Sequence, residues 1–153
     1  GDPCRSERAR RRMIPRVTGD TALAAAWIVA VIATLSVLFI GEVLGRMPCL
    51  LCWYQRAFMF PLPIVLGLGL WWQDARVGRY GVALSLGGGM VALWHIGLYA
   101  GIIPEPVQPC TATGPSCTDD NQAILGVPIP LLSLLAFILT ASLSILSLKE
   151  PRS

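Results

Sequence analysis

Four long stretches of the sequence carry no charged residue. They have 21, 17, 25 and 28 residues and lie at positions 21–41, 57–73, 80–104 and 121–148. A helix that crosses the hydrocarbon core of a bilayer needs about 20 mostly apolar residues. The pattern therefore predicts an all-α membrane protein, a bundle of four transmembrane helices near residues 21–42, 53–73, 80–101 and 127–148.

A soluble helical bundle is the alternative for so apolar a chain. The surface helices of such a bundle have a polar face that returns every 3.6 residues, and the segment Ala22–Ile40 has no such face. Charged residues make up only 14% of the chain, whereas about 25% is usual for a soluble domain. Composition and pattern both favour the membrane protein.

The basic residues predict the orientation of the four helices. Cytoplasmic loops of membrane proteins carry an excess of Lys and Arg. Basic residues precede the first span, separate the second from the third and follow the fourth, whereas residues 101–126 contain none. Both termini are therefore predicted to face the cytoplasm, and two loops face outward. Arg46 and Arg56, near the first outer loop, depart from this pattern.

The chain is expected to form one membrane domain with short tails. Residues 1–19 are predicted to be a flexible basic cytoplasmic tail, residues 20–149 the four-helix domain, and residues 150–153 a short cytoplasmic tail. Six arginines lie among the first 16 residues. Such a run can bind nucleic acid, but beside a membrane span we interpret it as an orientation signal. No nucleic-acid partner is expected.

The cysteines support this topology independently. Cys49, Cys52, Cys110 and Cys117 fall in the two outer loops, and Cys4 falls in the cytoplasmic tail. Disulfides persist in oxidising compartments and are rare in the cytoplasm. The topology was inferred from charge alone, yet it places four cysteines on the oxidising side.

The pair Cys49 and Cys52 has the spacing of a redox centre. It follows Pro48 at the start of the predicted second helix, where backbone N–H groups and the positive end of the helix dipole favour a thiolate. Two intervening residues also let a disulfide close within one helical turn and reopen. We expect a redox-active pair here.

Other roles for the cysteines compete with this one. Four thiolates could hold zinc, but Cys110 and Cys117 are separated by six residues, whereas zinc pairs normally both have short spacing. No metal is therefore expected. Purely structural disulfides are a second alternative, above all for the long-loop pair. A thioredoxin-like domain is a third, but no βαβ pattern surrounds Cys49.

Two polar residues at the predicted spans are candidates for ligand binding. Arg56 follows Cys52 by four residues, so the two share a helix face. It either extends to the lipid headgroups or stabilises the Cys52 thiolate and the negative charge of a reduced acceptor, with Gln55 helping to orient the ligand. His95, the one histidine, either supplies a proton to that ligand or forms an interhelical hydrogen bond.

Residues 47–56, Met-Pro-Cys-Leu-Leu-Cys-Trp-Tyr-Gln-Arg, resemble the signature of the DsbB/BdbC family of bacterial thiol:quinone oxidoreductases. Residues 126–137, Gly-Val-Pro-Ile-Pro-Leu-Leu-Ser-Leu-Leu-Ala-Phe, resemble the family's entry to the fourth helix. The resemblance implies a multi-pass protein of the bacterial cytoplasmic (inner) membrane, with its cysteine loops facing the periplasm or exterior. It also implies a DsbA-like thioredoxin-fold partner and a membrane quinone, ubiquinone or menaquinone, as cofactor.

The family implies a role for each candidate residue. The partner's thiolate attacks the disulfide Cys110–Cys117, with Cys110 forming the mixed disulfide. Electrons then pass to Cys49–Cys52 through a transient link between Cys49 and Cys117. Cys52 lies nearest the quinone, and Arg56 and His95 bind it. The six-residue separation of the second pair is similar to the short-loop, BdbC-like branch.

Two other functions remain open. The vitamin K epoxide reductase-like family also joins four helices, a Cys-x-x-Cys and a quinone, but there the loop cysteines usually precede that motif, whereas here they follow it. A tetraspan transporter or scaffold would use disulfides only as structural links. A transporter usually has an acidic residue within a span, and residues 21–41 and the three later predicted spans contain no Asp or Glu.

Overall fold

The computed structural model describes residues 19–103 and 123–150. Within these ranges the chain forms mainly α-helices, which we number α1 to α5. They are α1 (Gly19–Leu38), α2 (Leu50–Met59), α3 (Pro61–Trp71), α4 (Val77–Tyr99) and α5 (Ile129–Lys149). A π-helical segment, Phe39–Val43, extends α1, and strands β1 (Ala123–Ile124) and β2 (Val127–Pro128) pair antiparallel just before α5.

Four of the described segments are long and apolar enough to cross a membrane. They are Gly19–Val43, Leu50–Trp71, Val77–Tyr99 and Ile129–Lys149. Large apolar side chains on their outer faces are exposed, as expected of surfaces that contact lipid, for example Ile32, Leu35 and Ile64. The prediction of a four-helix membrane protein is confirmed. The tails predicted at the two ends fall almost entirely outside the described residues.

The second span differs from the prediction of one uninterrupted helix over 53–73. It begins earlier, at Leu50, and is divided into α2 and α3 at Phe60. Pro61 and Pro63 lack the N–H groups that would continue the hydrogen-bond ladder, and proline is tolerated only in the first turn of a helix. Phe60 keeps helical dihedrals, and its N–H donates to the Arg56 carbonyl at 2.9 Å. The chain therefore crosses without turning back.

Small residues bring α4 close to α5 in the bundle core. The ring of Phe137, only 2% exposed, occupies the space that a side chain at Gly88 would need. A side chain at Gly78 or Gly81 would likewise meet the hydroxyl group of Ser147 or of Ser144 in α5. Membrane helices pack through such contacts because lipid provides little hydrophobic force to press them together. This packing fixes α4, which carries His95, against the rest of the bundle.

The end of the bundle that is predicted to face outward, here called the outer end, gathers the segments that build the candidate site. The end of α1, the start of α2, the end of α4 and the start of α5 lie at this end of their spans. β1 and β2 are joined by Leu125 and Gly126, which have φ of 51° and 81°. Two residues with positive φ are typical of a type I′ hairpin turn. This hairpin leads the chain back from the second loop into α5.

Adjacent glycines provide a matched test of this packing. Gly88→Ala should lower the free energy of unfolding of the protein in detergent by about 1–3 kcal/mol, because the added methyl group overlaps the Phe137 ring. Gly89→Ala adds the same group one residue along, where the nearest atom, Cβ of Phe137, is 3.8 Å away, and should be neutral. Thermal unfolding of both variants measures the difference; equal effects would refute the packing described.

Candidate functional site

Cys49 and Cys52 lie at the start of α2 with their sulfurs close together. Cys49 is the residue that precedes the first turn, and Cys52, expected in the outer loop, is part of that turn. Their Sγ atoms are 3.3 Å apart and are not joined in a disulfide, so the pair is in the dithiol state. Cys49 is fully buried, whereas Cys52 is partly exposed. The two thiols of one pair therefore face different surroundings.

His95 lies on the buried side of the pair. It is fully buried in α4, and its Nε2 is 3.7 Å from Cys49 Sγ. Its other ring nitrogen, Nδ1, is 2.9 Å from Gln55 Nε2. When the Gln55 amide N–H donates to Nδ1, the ring proton resides on Nε2 and faces Cys49. The histidine is therefore hydrogen-bonded between helices, as one alternative proposed, and its reactive nitrogen is directed at a cysteine.

The surroundings of Cys49 favour its neutral form. The hydrogen bond with Cys52 and burial raise the pKa of Cys49 from 9.0 to about 12, while contact with His95 acts in the opposite direction. The thiolate expected from the helix start is therefore not favoured at Cys49 in the dithiol state. A proton must leave this thiol before it can react.

Arg56 turns into the protein rather than toward the membrane surface. Its side chain is 9% exposed, and its guanidinium donates to the Val37 carbonyl at 3.4 Å. The same group lies over the Trp53 ring, 5.2 Å from its centroid. Gly41, in the π-helical segment, leaves room for it, since a Cβ there would be 2.8 Å from the guanidinium. Both of these partners are neutral, so they leave the positive charge of Arg56 uncompensated.

Cys52 and Arg56 line one pocket at the outer end of the bundle. The pocket encloses about 480 Å³, part of it open to the outside, and its wall includes polar groups and a proline. These are Arg46, Pro48, Cys52, Gln55, Arg56 and Ser133. The walls of this pocket do not include His95. The prediction that His95 binds a ligand beside Cys52 gains no direct contact from this geometry and stays a prediction.

An apolar groove continues this pocket along the membrane domain. It runs between α1 and α5 and shares five wall residues with the pocket: Val37, Ile40, Met59, Ile129 and Ser133. Its other walls are almost wholly apolar, among them Ile32, Leu135 and Leu139. Pocket and groove together suit an amphiphile that has a compact polar head and a long apolar tail.

Arg46 and Ser133 belong to the pocket although the sequence analysis did not select them. Arg46 also donates to the Ala123 carbonyl at 2.6 Å, which links the first outer segment to β1. The signal was available, because Arg46 departs from the rule that basic residues stay on the cytoplasmic side. Ser133 lies within the matched stretch 126–137 and carried no signal of its own.

Cys110 and Cys117, like Cys4, lie outside the described residues. The description resumes at Ala123, six residues after Cys117, where the backbone accepts the hydrogen bond from Arg46. The far end of the second loop is therefore attached beside the pocket.

The chain is similar to known proteins of one family. The profile of the family described as disulfide bond formation protein DsbB matches residues 19–147. A probable disulfide formation protein of Metapseudomonas resinovorans is 51% identical over 137 residues, which cover 88% of this chain and 95% of that protein. Disulfide bond formation protein C of Bacillus subtilis is 36% identical over 123 residues, covering 76% and 85%.

A further relative, a probable disulfide formation protein of Coxiella burnetii, is 33% identical over 127 residues and covers 81% of this chain and 85% of its own. No solved structure matches the chain. The resemblance noted for residues 47–56 and 126–137 is thus confirmed over most of the sequence. With four helices able to span a membrane, the chain belongs to the DsbB family and is a multi-pass, disulfide-forming membrane oxidoreductase.

Proposed function

We propose that this protein reoxidises a DsbA-like thioredoxin-fold oxidase and passes the electrons to a membrane quinone. The observation that supports this most is the pocket in which the partly exposed Cys52 and the buried Arg56 meet, together with the apolar groove that continues it. A site for a hydrophobic electron acceptor requires a reactive thiol, a buried cation and an apolar groove.

The residues of the pocket fit a quinone. The guanidinium groups of Arg46 and Arg56 and the amide of Gln55 are donors suited to carbonyl oxygens. The groove between α1 and α5 is suited to an isoprenoid tail. A bound quinone supplies an acceptor for two electrons and two protons, and it is a stronger oxidant than ordinary protein disulfides. Ubiquinone and menaquinone share this chemistry.

The electron path balances when each dithiol is converted to a disulfide in turn. The partner's thiolate attacks Cys110–Cys117, so the partner leaves as a disulfide and the loop pair becomes a dithiol. That dithiol reduces Cys49–Cys52 through a transient link between Cys117 and Cys49, and Cys52 leaves as a thiolate. The Cys49–Cys52 dithiol then gives up two electrons and two protons and closes again.

Arg56 and His95 have different roles at the inner pair, Cys49 and Cys52. Arg56 is positioned to stabilise the Cys52 thiolate and the negative charge that develops beside it in the pocket, because its own charge is uncompensated by Val37 and Trp53. His95 is positioned to take the proton from Cys49 and return it, since Nε2 is 3.7 Å from that sulfur. This step uses the tautomer in which the Gln55 amide is rotated so that its oxygen accepts from Nδ1–H, which leaves Nε2 without a proton. Gln55 orients the imidazole from the other side of the ring.

The membrane location follows from the same scheme. The quinone enters from the bilayer, and the partner's thiols arrive from the oxidising side. We therefore place the protein in the bacterial cytoplasmic (inner) membrane, with residues 43–52 and 102–126 at the periplasmic or exterior face. The basic residues 1–19 and the short segment 150–153 then lie in the cytoplasm, flanking one membrane domain.

The direct test reconstitutes the protein with quinone in lipid nanodiscs and adds a reduced thioredoxin-fold oxidase of the DsbA type. We expect one quinone to be reduced for each partner disulfide formed, measured by quinone ultraviolet absorbance and by titration of free thiols. Cys52→Ala should abolish quinone reduction. A reduced partner that keeps only its attacking cysteine should be trapped on Cys110 of the unmodified protein, because its thiolate opens the Cys110–Cys117 disulfide and Cys117 leaves as a thiol. Cys4→Ser is the control and should turn over normally. If quinone changes the redox state of neither pair, only structural disulfides remain.

Arg56→Ala should impair the quinone step and spare thiol exchange at Cys110. Loss of a hydrogen bond to a charged group costs about 1.5–3 kcal/mol, so KM for quinone should rise about tenfold or more. Arg79→Ala, at an exposed arginine near the start of α4, is the matched control and should leave KM unchanged. An equal loss of quinone reduction and of Cys110 exchange in Arg56→Ala would contradict the assignment.

His95→Ala should lower kcat and leave KM for quinone nearly unchanged, because the histidine serves Cys49 and not the pocket. Loss of a general acid–base group costs about 10²–10⁴-fold in rate. His95→Asn keeps a polar side chain opposite Gln55 but has no group that can take up and return a proton near neutral pH, so it should show the same loss. A raised KM with unchanged kcat would instead place His95 at the quinone.

A further inference from the structure

We propose that the reduced protein binds one divalent metal ion of the zinc type at Cys49, Cys52 and His95, and that the bound ion blocks oxidation of the pair. Cys49 Sγ, Cys52 Sγ and a ring nitrogen of His95 lie within 4.8 Å of one another. This site goes beyond the proposed function, since neither the partner nor the quinone takes part in it.

The spacing of the three ligand atoms is close to that of a tetrahedral site. With Zn–S of about 2.3 Å and Zn–N of about 2.0 Å, tetrahedral angles place two sulfurs about 3.8 Å apart and sulfur and nitrogen about 3.5 Å apart. The two sulfurs are 3.3 Å apart, and Cys49 Sγ is 3.7 Å from His95 Nε2. These two distances differ from the tetrahedral values by about half an ångström or less. The third pair, Cys52 Sγ and the His95 ring nitrogen, lies within 4.8 Å.

The chemistry of the donors also fits. Two thiolates and one imidazole are ligands that zinc prefers, and three protein ligands with a fourth open position form a common arrangement. Metal-bound histidines are normally oriented by a second hydrogen bond through the other ring nitrogen. Gln55 provides this at 2.9 Å from Nδ1. A rotation of its amide lets the oxygen accept from Nδ1–H, which leaves Nε2 free of a proton to bind the ion.

The site exists only in one redox state. A disulfide between Cys49 and Cys52 leaves no thiolate to bind the ion, whereas the dithiol offers two. Binding releases the two thiol protons to solvent and moves no electrons, so the ion stays divalent and both sulfurs stay reduced. Their electron pairs are then held in metal–sulfur bonds and cannot be given to an acceptor. Cys52, partly exposed, provides the opening through which the ion and a fourth ligand, water, enter.

This site differs from the four-thiolate zinc site weighed from the sequence. It uses one cysteine pair and a histidine from another helix, and it does not require Cys110 or Cys117. The expectation that the protein needs no metal is unaffected, because the ion here is an inhibitor of the reduced state and not a resident cofactor.

The test uses Co²⁺ as a spectroscopic probe on the Cys4→Ser protein, reduced and freed of reductant, in nanodiscs without quinone. We expect one equivalent of Co²⁺ to produce thiolate-to-cobalt and intense tetrahedral absorption bands, which Zn²⁺ then removes by competition. The protein with Cys49–Cys52 oxidised should give no bands. Cys52→Ser and Cys49→Ser should lose them, whereas the double variant Cys110→Ser with Cys117→Ser should retain them.

Gln55→Ala tests the site without removing a ligand. Loss of such an orienting hydrogen bond typically weakens metal binding about 10–100-fold, and that is the expected change in the Zn²⁺ dissociation constant. Absence of tetrahedral bands in the reduced protein, their survival in Cys52→Ser, or their loss in the double loop variant would overturn the proposal. Because no quinone is present, such a failure leaves the proposed electron path untouched, and a failure of quinone reduction leaves the metal site standing.

Discussion

The buried contact between α2 and α4, in which Gln55 holds His95 against Cys49, connects the reactive pair to the membrane domain. A bilayer obliges nearly every backbone polar group within it to bond inside its own helix. Helix backbones alone therefore offer little chemistry, and reactivity must come from side chains at helix ends and from polar contacts between helices. Small residues bring α4 close to α5 and so fix the position of His95. The position of His95 in turn sets the geometry of its contact with Cys49.

The two sulfurs of the inner pair acquire different roles from this arrangement. Cys49 is buried in the protein, contacts His95 and is favoured as a neutral thiol. Cys52 lies three residues on and faces a pocket with two guanidinium groups. Within one helical turn, Cys49 therefore contacts a group that can exchange a proton, whereas Cys52 faces groups that can stabilise negative charge. In the proposed mechanism, the proton of Cys49 moves toward His95, whereas the electrons leave from Cys52 toward the pocket.

The features that the sequence predicted are those that depend on position along one helix. The four spans followed from uncharged length, and Cys52 shares a pocket with Arg56 because four residues make about one turn. The contact of His95 with Cys49 could not be predicted, since it depends on how α4 is rotated against α2. The π-helical segment that makes room for Arg56 had only Gly41 as a hint. The break at Phe60 could have been inferred from Pro61 and Pro63.

The hydrogen bond from Arg46 to the Ala123 carbonyl has a mechanical consequence. Arg46 is a wall of the pocket, and Ala123 is the place where the chain returns from the segment that carries the outer cysteines. In the proposed mechanism, a partner that docks on that segment and pulls on it also moves Arg46, a wall of the pocket beside Cys52. In that mechanism, the Arg46–Ala123 hydrogen bond couples partner binding at the surface to the access of a lipid-soluble molecule to the pocket.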